Sequence, residues 1–183
     1  LCAPVGVNQA NCYLVSDDER RACAVDPGAQ PEGLLQLIEK EKLERELEVA
    51  RNIQSSLLPR KLPRLPGFVF DVIMTPMRAV GGDLYDFISL GKGKLGIAIG
   101  DVSDHGIPAA LFMALTTTLL RAEARRARTP RDALSRVNQQ LLEINDTGMF
   151  VTLLYGILDT SSHQFHYCRA GHELRQSLRA LRA

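Results

Sequence analysis

Val80-Gly81-Gly82-Asp83-Leu84-Tyr85-Asp86-Phe87 and, one hairpin later, Gly100-Asp101-Val102-Ser103-Asp104-His105-Gly106-Ile107-Pro108-Ala109-Ala110-Leu111 decide how this chain is read. They set Asp83, Asp86, Asp101 and Asp104 beside glycines at the ends of two neighbouring strands. Carboxylates gathered in this way repel one another unless a proton or a cation lies between them, so a hard divalent metal is the first expectation.

Between the two stretches, Asp83 to Leu90 reads as a strand, Gly91-Lys92-Gly93-Lys94 as a turn and Leu95 to Val102 as a second strand. A tight turn there makes facing residue numbers sum to about 185, which sets Asp83 opposite Val102 and Leu84 opposite Asp101. The acids then share one end of the hairpin. Strict alternation sends their side chains to opposite faces, so Gly81-Gly82 must supply a bend or bulge, or Asp83 must act through water.

Working outward, Gly106-Ile107-Pro108 opens a helix over Ala109 to Arg128, with proline in the first turn where its missing N–H costs nothing. Thr129 caps a second helix that starts at Pro130 and runs to about Asn145. Its Ala133, Leu134, Val137, Leu141 and Leu142 follow helical spacing as core positions. Met149 to Leu158 and Gln164 to Arg169 read as strands around a turn at Asp159 to His163. Ahead of the first acids, Phe68 to Met77 reads as a strand. Two hairpins with two intervening helices imply an α+β fold, a layered sandwich of antiparallel sheet and packed helices.

From Glu39 to Leu58 the chain is charged and helical, with a narrow seam of Leu43, Leu47, Ala50, Gln54 and Leu57 and Ile53 beside it. That seam suits either pairing with a second copy, as a homodimer through Leu43 to Leu57, or packing on the following domain. Pro59, Pro63 and Pro66 stop the helix. Residues 1–30 read as a hairpin, Asn11 to Val15 and Arg21 to Val25, with a polar turn from Ser16 to Glu19. Asp26-Pro27-Gly28 follows, and then a helix opens at Pro31-Glu32 with Leu34, Leu35, Leu37 and Ile38 inside it. The organisation expected is a 1–38 fragment, a 39–66 linker and a 67–183 domain.

The chain has 183 residues, 45% of them hydrophobic and 23% charged, as expected of one globular domain with an appendage. A formal net charge of +1 argues against nucleic-acid binding by bulk electrostatics, and the basic runs Arg121 to Arg131 and Arg175 to Arg182 read as solvated helix faces. Cys2, Cys12, Cys23 and Cys168 show no C-x-x-C spacing, which fits reduced thiols and a cytoplasmic setting. No apolar run approaches roughly 18 residues and no leader pattern is present, so no membrane partner is expected. The chain begins at Leu1 without methionine, consistent with a piece of something longer.

Two resemblances follow from these residues. The opening N-x-Y-L-V strand at Asn11 to Val15, with Asp26-Pro27-Gly28, resembles the start of metallo-β-lactamase-fold hydrolases over about the first forty residues. The H-x-H-x-D-H run that binds metal in that family is absent. This segment is therefore expected to be a structural β-β-α fragment, with Asp26 in a turn or capping role. The second resemblance is carried by Glu48-Val49-Ala50-Arg51-Asn52-Ile53-Gln54-Ser55-Ser56-Leu57-Leu58-Pro59, the two acidic stretches, Phe150-Val151-Thr152-Leu153 and Ala170-Gly171-His172. In that order these motifs resemble the SpoIIE/RsbU group of bacterial PPM-type serine/threonine phosphatases.

That resemblance implies hydrolysis of phosphoserine or phosphothreonine in a protein substrate, of the anti-sigma-factor-antagonist kind, by water activated on two Mn²⁺ or Mg²⁺ ions. It implies Asp83 and Asp101 as the catalytic metal-binding carboxylates, Asp101 bridging, with the Val102 carbonyl as a further metal ligand. Asp86 is expected to be a structural hydrogen-bonding acid, and His172 a packing residue. Asp104 stands where the family usually has glycine, and His105 is a loop histidine with a secondary claim as an acid on the leaving group. In the family the A-G-H turn leads to a proline-rich strand, a D-G motif and a final aspartate that complete the metal site. Here Glu173 to Ala183 reads as a short basic helix. The sequence therefore implies a partial PPM-like domain, truncated or chimeric, with metal binding weakened. Whether it turns over substrate is left open, the alternative being a non-catalytic fragment that self-associates.

Overall fold

The computed structural model describes residues 2–5, 10–16, 22–25, 31–74 and 80–172. The chain divides into two compact units, Leu1–Val49 and Ala50–Ala183. In the first, β1 (Cys2–Val5), β2 (Ala10–Ser16) and β3 (Ala22–Val25) form an antiparallel sheet in that order. The β2–β3 pair is the expected hairpin, with Tyr13 facing Val25 and Leu14 facing Ala24. β1 was not anticipated, and it makes the sheet three-stranded. The turn residues after Ser16, Asp26-Pro27-Gly28 and the role assigned to Asp26 lie outside the described residues. Helix α1 runs unbroken over Pro31–Leu57. It ends where Pro59 removes an N–H donor and restricts the residue before it.

The second unit is built on a four-stranded antiparallel sheet, β4 (Leu84–Gly91), β5 (Lys94–Val102), β6 (Val151–Asp159) and β7 (Gln164–Ala170), in the order β4-β5-β6-β7. Helices α2 (Ile107–Ala124) and α3 (Pro130–Ile144) fill the crossover between the two hairpins. This is the expected α+β arrangement. Thr129 caps α3 as anticipated, its hydroxyl accepting the Asp132 N–H at 3.1 Å. α2 ends earlier than expected, at Ala124, and Leu142 points to solvent while Ala133, Leu134, Val137 and Leu141 are buried.

Alternation along the strands separates two buried faces. Leu84, Ile88, Ala98, Leu153 and Tyr155 pack against Met113 and Leu120 of α2 and Val137 of α3 in the main core. On the opposite face Leu95, Ile97 and Leu158 form a smaller cluster with Leu65, Phe68 and Phe70 laid over them. That covering segment corrects the expectation of a strand at Phe68 to Met77. Beyond a single bridge between Leu65 and Phe68, residues 68–74 join no ladder, and Val69 and Ile73 are 88% and 90% exposed. Residues 75–77 of that expected strand lie outside the described residues.

α2 also corrects the expectation that no run is long and apolar enough to cross a membrane. By length and composition its 18 residues meet that test, with mean hydropathy 1.2. The apolarity is used for packing, since Ala109, Phe112, Met113, Leu120 and Ala124 are buried in the core.

The β6–β7 turn is held by Asp159. Its Oδ1 accepts hydrogen bonds from the Ser161 hydroxyl, the Ser161 N–H at 3.0 Å and the Ser162 N–H at 3.2 Å, and Lys94 lies 3.9 Å from Oδ2. The Ser161 hydroxyl bond, followed by the two N–H groups, lowers its carboxyl from the ordinary 3.8 to about 2. A carboxyl depressed on folding contributes stability above its unfolded value, and the contribution is lost as pH falls through the folded value. Asp159→Asn is therefore expected to lower the urea midpoint at neutral pH. The deficit relative to the parent should shrink between pH 4 and pH 2, as followed by circular dichroism.

Candidate functional site

The hairpin register decides how the acids meet. Leu84 faces Gly100, Tyr85 faces Ile99 and Phe87 faces Ile97, so facing numbers sum to 184 rather than 185. Near the turn Gly91 faces Lys94, and the shift of one falls between Ser89 and Gly91. The irregularity expected at Gly81-Gly82 thus sits at the other end of the strand, as a bulge beside the turn. Beyond Leu84 the same register continues, with the Val102 N–H donating to the Gly82 carbonyl at 3.3 Å. Asp83 consequently faces Asp101, and their side chains share a face. The expected opposition of faces is overturned by that one-residue shift. Gly82 itself permits the approach, because a Cβ there would lie 2.8 Å from the Val102 Cβ and 2.9 Å from its carbonyl oxygen.

Asp101 also faces Thr152 across β6, so Asp83, Asp101 and Thr152 form one row over three chain segments. His172, 5% exposed, closes the row with Nδ1 2.9 Å from the Thr152 hydroxyl oxygen. Asp83, Asp101 and His172 line a cavity of about 530 Å³, together with Asp71, Tyr85 and mostly apolar side chains that include Phe70 and Ile97. Burial, then the Asp101 charge and a hydrogen bond to that residue, raise the Asp83 carboxyl above its ordinary value, and the His172 charge works against them. Two facing carboxyl groups suit a hard cation in kind. In number they are few, for among the described residues no group of three His, Cys, Asp or Glu side chains is placed to hold a metal ion.

The other acids are used differently. Asp86, 2% exposed, points into the opposite face, where Arg121 of α2 grips it through Nε–Oδ2 at 2.6 Å and an Nη2–Oδ1 bond at 3.1 Å. The same guanidinium donates to the Leu57 carbonyl at 2.7 Å, so α2, β4 and the end of α1 share one ion pair. Asp86 is structural, as the sequence implied. Asp104 adopts φ +74°, the left-handed region that favours the glycine expected at that place. Its Oδ1 accepts the His105 N–H at 2.9 Å and lies 3.2 Å from His105 Nδ1, and both side chains are exposed.

Gln54 is a residue whose role the sequence did not disclose. Its side-chain amide donates to the Gly81 carbonyl and accepts the Gly81 N–H at 3.3 Å, clamping the backbone two residues before Asp83. The seam position read as apolar packing is thus a clamp on the site. Gln54→Ala removes both bonds. It is expected to lower any metal-dependent turnover about 10-fold or more, as loss of outer-shell support does, and stability by about 1–2 kcal/mol. Initial rates with a matched urea titration check both.

Residues 91–180 match the family described as Stage II sporulation protein E (SpoIIE). Over that stretch the chain is similar to SpoIIE-type domains. The phosphoserine phosphatase RsbU of Bacillus subtilis (strain 168) is 33% identical over 134 residues, which cover 73% of this chain and 40% of RsbU. Protein IcfG of Synechocystis is 34% identical over 155 residues, covering 70% of this chain and 24% of IcfG. The chain therefore spans less than half the length of these curated relatives. The SiaA-PP2C domain of Pseudomonas aeruginosa superposes with a TM-score of 0.66 at 23% identity, over 72% of this chain and 55% of that domain. This likeness concerns the fold, and it agrees with the antiparallel sheet and packed helices of the second unit. The SpoIIE/RsbU-like, PPM-type character read from the motifs is thereby borne out.

Proposed function

We propose that the SpoIIE-like domain is a metal-dependent phosphatase acting on phosphoserine or phosphothreonine in a protein substrate. The observation that carries this is that Asp83 and Asp101 lie together in the lining of one cavity, with Asp101 paired to Thr152. The family match and the likeness to RsbU, a phosphoserine phosphatase by name, support the reaction class.

In this reading Asp83, Asp101 and the Val102 carbonyl hold Mn²⁺ or Mg²⁺. The bound metal supplies an activated water and neutralises phosphoryl oxygens. The chain's own residues set the geometry. Gly82 lets the two strand ends close together, Gln54 fixes the backbone ahead of Asp83, and Asp101 presents its carboxylate from the end of a fully paired strand. The substrate envisaged is a small phosphoserine protein of the anti-sigma-factor-antagonist kind, and the cysteine pattern favours a cytoplasmic setting.

Hydrolysis of p-nitrophenyl phosphate and of a phosphoserine peptide tests the proposal. Turnover that requires added Mn²⁺ or Mg²⁺ and stops with chelator is expected. Absence of turnover at every metal concentration contradicts it.

A second reading, a non-catalytic fragment that self-associates, is favoured by one observation: Leu43, Val49 and Ile53 of α1 are all more than half exposed. Size-exclusion chromatography with light scattering separates the two. A dimer that dissociates on Leu43→Glu supports an α1-mediated pair, and a monomer at all concentrations removes it.

A further inference from the structure

Asp101 stands near the end of β5 with an exposed side chain, yet a metal-binding carboxylate has to be held in place. Beyond the β5–β6 pairing, its carbonyl is tied by a short polar chain running across the sheet. The Thr152 hydroxyl lies 3.3 Å from the Asp101 carbonyl oxygen as donor and 2.9 Å from His172 Nδ1. A hydroxyl has one proton to give. If Thr152 gives it to Asp101, the bond to His172 requires the imidazole to donate from Nδ1. The direction is then fixed as His172 Nδ1–H to Thr152 Oγ1–H to the Asp101 carbonyl.

The fold delivers each member. Asp101 and Thr152 face each other in the β5–β6 register. Gly171, at φ +73°, ends β7 in a conformation that side chains disfavour, and its Cβ direction points at the Thr152 methyl 3.4 Å away. Gly171 bridges to Leu153, and His172 after it is buried in the lining of the cavity that Asp83 and Asp101 also line.

We propose that Thr152 and His172 are positioning residues, a hydrogen-bond relay that fixes the backbone of Asp101 and thereby its carboxylate toward Asp83. This rests on the metal-dependent phosphatase reading. It adds to that reading a role for two side chains that carry no metal themselves. The relay sets the histidine tautomer, so it has a spectroscopic signature independent of catalysis.

The test uses the full chain and four variants. Thr152→Val keeps the shape and removes the hydroxyl, and Thr152→Ser keeps the hydroxyl. His172→Gln removes the donor at the Nδ1 position, and His172→Asn retains one near it. Imidazole ¹⁵N shifts are expected to show His172 protonated at Nδ1 in the parent and to lose that signature in Thr152→Val. Calorimetric Mn²⁺ titration is expected to show about 10-fold weaker binding for Thr152→Val and His172→Gln, with most of the loss recovered in Thr152→Ser and His172→Asn. The Thr152→Val, His172→Gln double variant should be no weaker than either single, because both cut one chain.

A His172 without a proton on Nδ1 in the parent overturns the relay. So does Mn²⁺ binding by Thr152→Val equal to that of a binding-competent parent, or Thr152→Ser as weak as Thr152→Val. A parent that binds no Mn²⁺ overturns the phosphatase reading itself and the positioning role with it.

Discussion

Replacing Arg121 by alanine is expected to lower the unfolding free energy of the second unit by about 3 kcal/mol, near the low end for breaking a buried ion pair. Asp86 is almost fully buried, and its Oδ2 is held at 2.6 Å by a guanidinium that is itself about one-third exposed. Without Arg121 the Asp86 carboxylate keeps, among the described residues, the N–H of the residue that follows it, at 2.9 Å. Such a group either stays charged at a cost of several kcal/mol or takes up a proton. The Leu57 carbonyl loses its partner in the same change, so the end of α1 loosens together with β4. Arg121→Met with Asp86→Leu removes both charges and fills the space with apolar atoms, and it should recover most of the loss. Urea midpoints of the two single variants and the double variant check this. A double variant as unstable as Arg121→Ala would show that the ion pair matters for more than satisfying a buried charge.

Asp101→Asn carries the largest expected effect on activity. The substitution preserves size and leaves the backbone pairings of β5 with Gly82 and Thr152 available, while removing one of the two facing carboxylates. Metal-dependent turnover should fall more than about 100-fold, since loss of outer-shell support alone typically costs 10–100-fold. Stability should hold or rise slightly, because Asp83 no longer sits against a second negative charge, the second-largest cause of its raised carboxyl. A fall in activity with no fall in stability separates a site residue from a structural one. Asp86→Asn is the contrasting case, in which stability moves first.

Much of this was legible along the sequence. The four strands of the larger sheet, the Thr129 cap and the shared end of Asp83 and Asp101 follow from local alternation, turn residues and capping chemistry. What was not legible depends on a single residue of slip or on distant partners. The bulge between Ser89 and Gly91 changes the register by one, which turns two carboxylates from opposite faces into a facing pair. Nothing in the G-K-G-K turn announces that shift. Gln54 looks like a seam position until Gly81, 27 residues on, is brought against it. Arg121 looks like one more charge in a basic run until Asp86 is found beneath it. Thr152 stood in a quoted motif without a role and His172 was read as a packing residue, because the row they complete exists only once β5, β6 and β7 are paired.

The central claim is that Asp83 and Asp101 act together on one cation, and calorimetric titration of Mn²⁺ into the full chain and into the Asp83→Asn and Asp101→Asn variants tests it most directly. Saturable binding by the parent, lost or weakened at least about 10-fold in both variants, is the predicted result. Equal binding by all three proteins would contradict it.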